Sequence, residues 1–324
     1  MDSLPIIKSP RLQPNQTVGI IAPASPVNQS EISEGLKLLE SFPLKIKQGE
    51  HIFDRQDYLA GSDNDRVSDL HQMFSDPDIQ AIFCARGGYG SARFLNKIDF
   101  DLMFLNKIDF DLIRKNPKII VGFSDLTALL LAIYNKSGLI TIHGPTLSDL
   151  PKNKNWEHLS RLIGMLYKPR ISFKQGKEIN KPRISFKQGK EINKGIARGT
   201  LLGGNLSTLC SLLATPFLPS FEGVILFLEE KGESPYKLDR MLTQLLLSGR
   251  LNRLSALIIG QIEDCGKMEI INSMLQERLG RLTIPVAAGL PVGHGNENIS
   301  LPLGLPAVLD TERMLLKIEE SSVS

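Results

Sequence analysis

The feature that most constrains this chain is a unit that recurs along it: a short apolar run, a tight turn, then a helix with amphipathic or apolar spacing. Thr17–Ala22 ends in Pro-Ala-Ser-Pro and is followed by helical spacing over Ser30–Ser41, with Ile32, Leu36, Leu38 and Leu39 on the periodic positions. Ile79–Ala85 runs into Arg-Gly-Gly-Tyr-Gly, and Lys118–Gly122 runs into Phe-Ser-Asp and the apolar helix Leu126–Tyr134. Continuous apolar strands separated by helices predict a parallel sheet covered on both faces. The same alternation returns with Val224–Leu228, the helix Lys237–Leu247, Ala256–Ile262, the helix Met268–Leu279 and a strand-rich tail. At 324 residues there is room for two domains. The fold class expected is α/β, with an N-terminal parallel-sheet domain at 1–165, a polar linker at 166–196 and a smaller C-terminal α/β domain at 197–324.

Composition excludes several classes of function. Hydrophobic residues make up 42% and charged residues 23%, the balance of a globular domain rather than a disordered one. Apolar runs such as Ala128–Ile133 fall far short of the ~20 residues of a membrane span. The net charge is 38 − 35 = +3, with no block of like charge, so neither nucleic acid nor a membrane is an expected partner. No secretory signal is readable at the N-terminus, so the expected location is cytoplasmic. Cys84, Cys210 and Cys265 are an odd number without C-x-x-C spacing, which argues against a disulfide framework or a zinc knuckle.

Two tandem duplications interrupt the pattern. Phe94–Leu102 returns as Phe104–Leu112, and Lys168–Asn180 returns unchanged as Lys181–Asn193. Single short copies are not a solenoid, and extruding one copy as surface loop costs little closure entropy.

The chemistry concentrates at Ile119–Leu130, where Ser124 stands at the tip of a strand-to-helix turn. A serine there presents its hydroxyl beyond the sheet, and the amide of Asp125 at the helix N-terminus can stabilise an oxyanion. Gly122 leaves room for the turn, although Leu126 stands where such elbows usually carry a second glycine. An N-capping serine is the simpler alternative. A nucleophilic serine needs a base and an orienting acid. Of five histidines, His51, His71 and His158 lie in polar contexts that suggest solvated faces, and His143 ends a strand near the same sheet edge. His294, between Gly293 and Gly295 in a loop after an apolar strand, is the better base, with a backbone-bonded loop histidine as the alternative. Glu229 closes a buried strand, where a carboxylate is costly without a partner. Its alternative partners are Arg240 and Lys231, and Glu230 points to the other side of the strand. Arg86-Gly-Gly-Tyr-Gly offers open amides and a guanidinium suited to a carboxylate or an oxyanion. Its glycines miss the dinucleotide spacing, no P-loop lysine follows, and no metal motif is present, so no cofactor or metal is expected.

Eight ordered motifs resemble the LD-carboxypeptidase family of serine peptidases, which includes muramoyltetrapeptide carboxypeptidases. They are VGIIAPASPV (18–27), YLAGSDNDR (58–66), AIFCARGGYGSARFL (81–95), IIVGFSDLTALL (119–130), IHGPTLS (142–148), GTLLGGNLSTL (199–209), ILFLEEKGESPYKLDRMLTQL (225–245) and GLPVGHGNENISLPLG (289–304). The resemblance implies Ser124 as nucleophile, Glu229 as acid and His294 as base. It also implies a class I glutamine-amidotransferase-like N-terminal domain, a site in the cleft between domains, a murein tetrapeptide as small-peptide substrate, and a homodimer. An oxyanion hole from the amides of Asp125 and Gly88 is expected on the same ground, and Arg86 is a candidate for holding the substrate's terminal carboxylate. The chain carries Leu-Glu-Glu at 228–230 where the family more often has Leu-Glu-Asp. Two alternatives stand beside this function: an immunity-type amidase acting on peptidyl-nucleotide antibiotics of the microcin C kind, with Trp156 as the one tryptophan for a nucleobase, and a non-catalytic binding protein on the same scaffold.

Overall fold

A computed structural model of the chain describes residues 4–95, 108–151, 156–167, 183–186 and 189–324. Fourteen strands and eight helices lie among them. The first part runs β1 (Thr17–Ile21), α1 (Gln29–Glu40), β2 (Lys45–Gln48), α2 (Asp63–Ser75), β3 (Ile79–Cys84), α3 (Phe110–Lys115), β4 (Ile119–Gly122), α4 (Thr127–Ser137), β5 (Thr141–His143) and α5 (Trp156–Tyr167). The second runs β6 (Arg183–Ser185), β7 (Lys190–Asn193), β8 (Ile196–Asn205), α6 (Leu206–Ser211), β9 (Val224–Lys231), α7 (Pro235–Leu247), β10 (Ala256–Glu263), α8 (Met268–Leu279), β11 (Val286–Ala288), β12 (Leu301–Leu303), β13 (Pro306–Asp310) and β14 (Leu315–Ile318).

Two sheets result. The first has the order β12-β5-β4-β3-β1-β2, and every pairing from β5 to β2 is parallel. Its strands are buried throughout in β4 and almost throughout in β1 and β3, which is why they read as unbroken apolar runs. Helix starts are set locally: Asn28 and Glu31 form a reciprocal capping box at α1, as Ser62 and Asp65 do at α2. The second sheet has the order β6-β14-β13-β8-β9-β10-β11-β7, parallel from β8 to β11 and antiparallel outside.

Two features differ from the expected layout. The segment 166–196, expected to be a linker, contributes β6 and β7, which close the two edges of the second sheet. Its polar sequence suits edge strands, whose outer side faces water. Leu301–Leu303, expected within the C-terminal domain, instead pairs antiparallel with β5, Leu301 opposite His143, and completes the first sheet. The two parts of the chain are thereby bound to each other by main-chain hydrogen bonds. Phe94 and Leu95 of one duplicated copy, and Ile108 and Phe110 of the other, are all buried, while the stretch between them lies outside the described residues. The first copy of the second duplication, 168–180, also lies outside them.

Close approach of β8 to its neighbours depends on glycine. Gly203 has φ +150°, and a Cβ there would stand 2.0 Å from the Phe227 carbonyl oxygen; one at Gly204 would stand 2.4 Å from Thr127 Oγ1. Backbone oxygen cannot swing aside as a side chain can. Gly203→Ala is therefore expected to lower the unfolding free energy by more than ~2 kcal/mol, measured by urea denaturation against the parent protein.

Candidate active site

The turn after β4 is sharp and strained. Phe123 is extended (φ −157°, ψ −173°), and Ser124 has φ +64°, a left-handed conformation rare outside glycine. A short 3₁₀ turn, Ser124–Leu126, leads directly into α4. Holding a serine in that region costs about 1–3 kcal/mol. The turn is held by burial of Asp125 and Leu126, and the Asp125 carboxylate accepts from the Ser91 amide at 2.8 Å. Gly122 accommodates Leu126, since a Cβ at Gly122 would stand 2.6 Å from Leu126 Cδ1.

Glu229 lies near the end of β9 with 0% exposure, so its carboxylate must find a partner inside the protein. That partner is His294, whose Nδ1 stands 2.7 Å from Glu229 Oε2, and the two alternatives pair elsewhere. Lys231 faces Asp264 at 3.8 Å, and Arg240 stacks on Tyr236 at 5.4 Å. With Nδ1–H donating to the carboxylate, Nε2 is left as an acceptor, and it lies 3.0 Å from Ser124 Oγ. The three residues thus form one chain of hydrogen bonds from the second sheet to the first.

The loop bearing His294 is positioned by its own backbone. The Gly293 amide donates to Asn298 Oδ1 at 3.2 Å, and the Gly295 amide donates to Gln261 Oε1 at 2.8 Å. Gly293 has φ +126°, and a Cβ there would come within 2.8 Å of Glu229 Oε2. Phe123 packs against the His294 ring with centroids 4.8 Å apart.

Burial lowers the basicity of His294, but the hydrogen bond and charge of Glu229 outweigh it, so its pKa is raised above the usual 6.5. His143 behaves in the opposite way. It is fully buried, touches Phe123 and Phe227 edge-on at 5.8 and 5.0 Å, and burial together with the nearby His294 pushes its pKa down to about 3. It is a neutral neighbour of the site, with no hydrogen-bond partner for either ring nitrogen among the described residues.

Gly87 abuts the serine, since a Cβ there would stand 3.0 Å from Ser124 Cβ, and Gly88 beside it has φ +104° and lies against Ser25. The Arg86 guanidinium turns to the start of α1, where it meets Glu31 at 3.2 Å. His51 and His71 are half-buried rather than freely solvated: His51 pairs with Asp54 at 2.8 Å, and His71 Nε2 accepts from the Asp109 amide at 2.9 Å. The side chains of Trp156 and His158 lie outside the described residues. His51, Asp54 and Asp65 bring ligand-type atoms within 4.8 Å of one another, a grouping accounted for by the α2 cap and the His51–Asp54 pair. All three cysteines are free and buried.

One residue has a role that its sequence context does not reveal. Glu230 is also buried, and its carboxylate accepts from Asn205 Nδ2 at 2.8 Å, the Ser207 amide at 2.7 Å and the Lys231 amide at 2.9 Å. The Asn205 main-chain N–H in turn donates to Thr127 Oγ1 at 3.0 Å, on the helix that follows Ser124. The side chain on the other face of β9 from Glu229 therefore fixes Asn205 of β8, which in turn bonds α4, the helix after Ser124.

Two family models match the chain: the LD-carboxypeptidase N-terminal domain over residues 18–144 and the LD-carboxypeptidase C-terminal domain over residues 198–309. The chain belongs to the LD-carboxypeptidase family. It is 35% identical over 320 residues to the probable murein peptide carboxypeptidase of Bacillus subtilis, covering 96% of this chain and 94% of that protein. It is 29% identical over 350 residues to the microcin C7 self-immunity protein MccF of Escherichia coli, covering 100% of this chain and 98% of that one. Among solved structures it resembles an MccF-like protein from Bacillus anthracis at TM-score 0.83 and 27% identity, covering 97% of this chain and 99% of that chain. Among the described residues no helix is long and apolar enough to cross a membrane.

The electrostatics give a direct check. A raised His294 pKa means that the Glu229–His294 pair stabilises the fold fully below the unfolded-state value near 6.5. That contribution fades as pH rises through the folded-state value. By histidine NMR, His294 is expected to titrate above 6.5 and His143 near 3. In Glu229→Gln only burial should remain dominant, and the His294 value should drop below that of a free imidazole.

Proposed function

We propose that this protein is a serine L,D-carboxypeptidase that releases terminal D-alanine from peptidoglycan-derived tetrapeptides. The bond cleaved is the amide between the L-centre of a diamino acid, lysine or diaminopimelate, and D-alanine. The observation that carries this reading is the continuous path Ser124 Oγ–His294 Nε2 and His294 Nδ1–Glu229 Oε2, at 3.0 and 2.7 Å. The relationship to a murein peptide carboxypeptidase supports the substrate class.

In this mechanism Ser124 Oγ attacks the scissile carbonyl carbon while His294 Nε2 takes its proton. Glu229, paired with Nδ1, stabilises the imidazolium that forms and keeps the ring in the tautomer that leaves Nε2 free to accept. The carbonyl oxygen becomes an oxyanion, to which the amides of Asp125 and Gly88 are assigned as donors. Asp125 serves through its main chain alone, since its carboxylate faces Ser91. His294 then delivers the proton to the D-alanine nitrogen as the C–N bond breaks. Water, deprotonated by the same imidazole, frees the serine from the acyl-enzyme. Since attack needs a neutral His294, kcat/KM should rise with pH through the raised imidazole pKa. Arg86 is assigned to the substrate carboxylate only by exchanging its contact with Glu31.

The reading divides the chain into an N-terminal nucleophile domain at about 1–165 and a C-terminal domain carrying acid and base, to which the edge strands β6 and β7 also belong. With this reading go a cytoplasmic location and a homodimer, the latter implied by the family resemblance. A second reading, an amidase that disarms peptidyl-nucleotide antibiotics, draws support from the MccF relative and the MccF-like structure. The deciding assay is D-alanine release from L-Ala-D-Glu-diaminopimelate-D-Ala by the parent protein and by Ser124→Ala. Release is expected from the parent, with kcat at least ~10⁴-fold lower in the variant. No release by folded parent protein, together with cleavage of an aminoacyl sulfamoyl adenosine, would establish the second reading.

A further inference from the structure

Two exposed tyrosines mark a surface beside the triad that the mechanism leaves unused. In the first sheet, β1 is followed by β2 on one side, whereas β3 is followed by β4 and β5 on the other. The loops after β1 and β3 therefore flank the point where the winding direction reverses, which is where open α/β sheets bind ligands. These loops are joined directly: the Ser25 amide donates to the Gly87 carbonyl at 3.2 Å, and the Tyr89 amide donates to Ser25 Oγ at 3.0 Å. Gly87 abuts Ser124, so these loops border the serine. Tyr89 is 54% exposed and packs edge-on against Tyr58, 58% exposed, with ring centroids 5.6 Å apart. Arg93 pairs with Asp63 at 3.2 Å.

A pair of half-exposed phenols fits one kind of ligand well. Each ring offers an apolar face and a polar tip, and a pyranose offers the complement, an apolar C–H face with a hydroxyl rim. The distances agree in scale. Tyr89 is two residues from Gly87, so its Cα lies within about 8 Å of the Gly87 Cα at about 3.8 Å per step. The three residues that separate a muramoyl sugar from the scissile bond span about 10 Å when extended.

We propose that Tyr58 and Tyr89 form a sugar subsite that holds the N-acetylmuramoyl group while the attached peptide runs to Ser124. The proposal rests on the carboxypeptidase reading for its substrate, but its test does not require hydrolysis. The ligand is N-acetylmuramoyl-L-Ala-D-Glu, which lacks the scissile bond, titrated by calorimetry into the full-length Ser124→Ala protein. Binding is expected, weakened about tenfold by Tyr89→Ala, the size of one aromatic contact, and less by Tyr89→Phe. With otherwise native enzyme, kcat/KM should favour muramoyl tetrapeptide over free tetrapeptide, and Tyr89→Ala should shrink that preference about tenfold through KM.

Absence of muramoyl-dipeptide binding overturns the proposal, as does an equal loss on both substrates in Tyr89→Ala. Tighter, Tyr89-dependent binding of adenosine monophosphate would overturn it in favour of a nucleobase site. Tyr89-dependent muramoyl-dipeptide binding without any tetrapeptide hydrolysis would uphold the subsite and contradict only the carboxypeptidase reading.

Discussion

Everything at the site depends on one buried carboxylate. Glu229 has no solvent exposure, and removing such a charge from water costs several kcal/mol unless another group compensates. His294 compensates, and the requirement sets the local sequence. At Gly293 a Cβ would stand 2.8 Å from Glu229 Oε2, and at Gly260 one would stand 2.7 Å from the Val292 carbonyl oxygen and 3.3 Å from Glu229 Cβ. The same bond orients the imidazole so that its other nitrogen meets Ser124. A residue buried for one reason, to finish a central strand, becomes the anchor of a chain that reaches the other sheet.

That chain works only if the two sheets hold their separation, and three features secure it. The strand Leu301–Leu303 follows the His294 loop and pairs with β5, so His294 is carried by a segment bonded to the sheet that bears Ser124. Glu230 fixes Asn205, whose amide meets Thr127 one helical turn beyond Ser124. Behind both, Phe123, His143 and Phe227 fill the space with rings, His143 kept neutral by its depth. Charging it would place a second cation beside an imidazolium. The left-handed conformation of Ser124 is sustained by this surrounding packing.

Much of this was legible in the sequence. Thr17–Ile21, Ile79–Cys84 and Ile119–Gly122 announce themselves as buried parallel strands by unbroken apolar runs, and the helix Met268–Leu279 matches its expected span. Ser124, Glu229 and His294 are legible because each breaks a local rule: a polar tip on an apolar unit, a carboxylate in a strand, an imidazole between glycines. What stayed hidden depends on partners distant in sequence. Periodicity identifies Leu301–Leu303 as extended without saying which sheet it joins, and it reads the polar 183–193 stretch as linker because edge strands share a linker's composition. Alternation along β9 places Glu230 opposite Glu229, but nothing local reveals that Asn205 and Ser207 each donate to its carboxylate there.

In the proposed function Ser124, activated across the two sheets by His294, is the nucleophile. The most direct measurement is reaction of the intact protein with a fluorophosphonate, followed by mass spectrometry of its peptides. Attack by a serine oxygen on phosphorus, with loss of fluoride, leaves a stable adduct on the activated residue. A single adduct is expected, on Ser124, formed far more slowly in His294→Ala. An adduct on a different serine, or labelling of Ser124 at the same rate without His294, would contradict it.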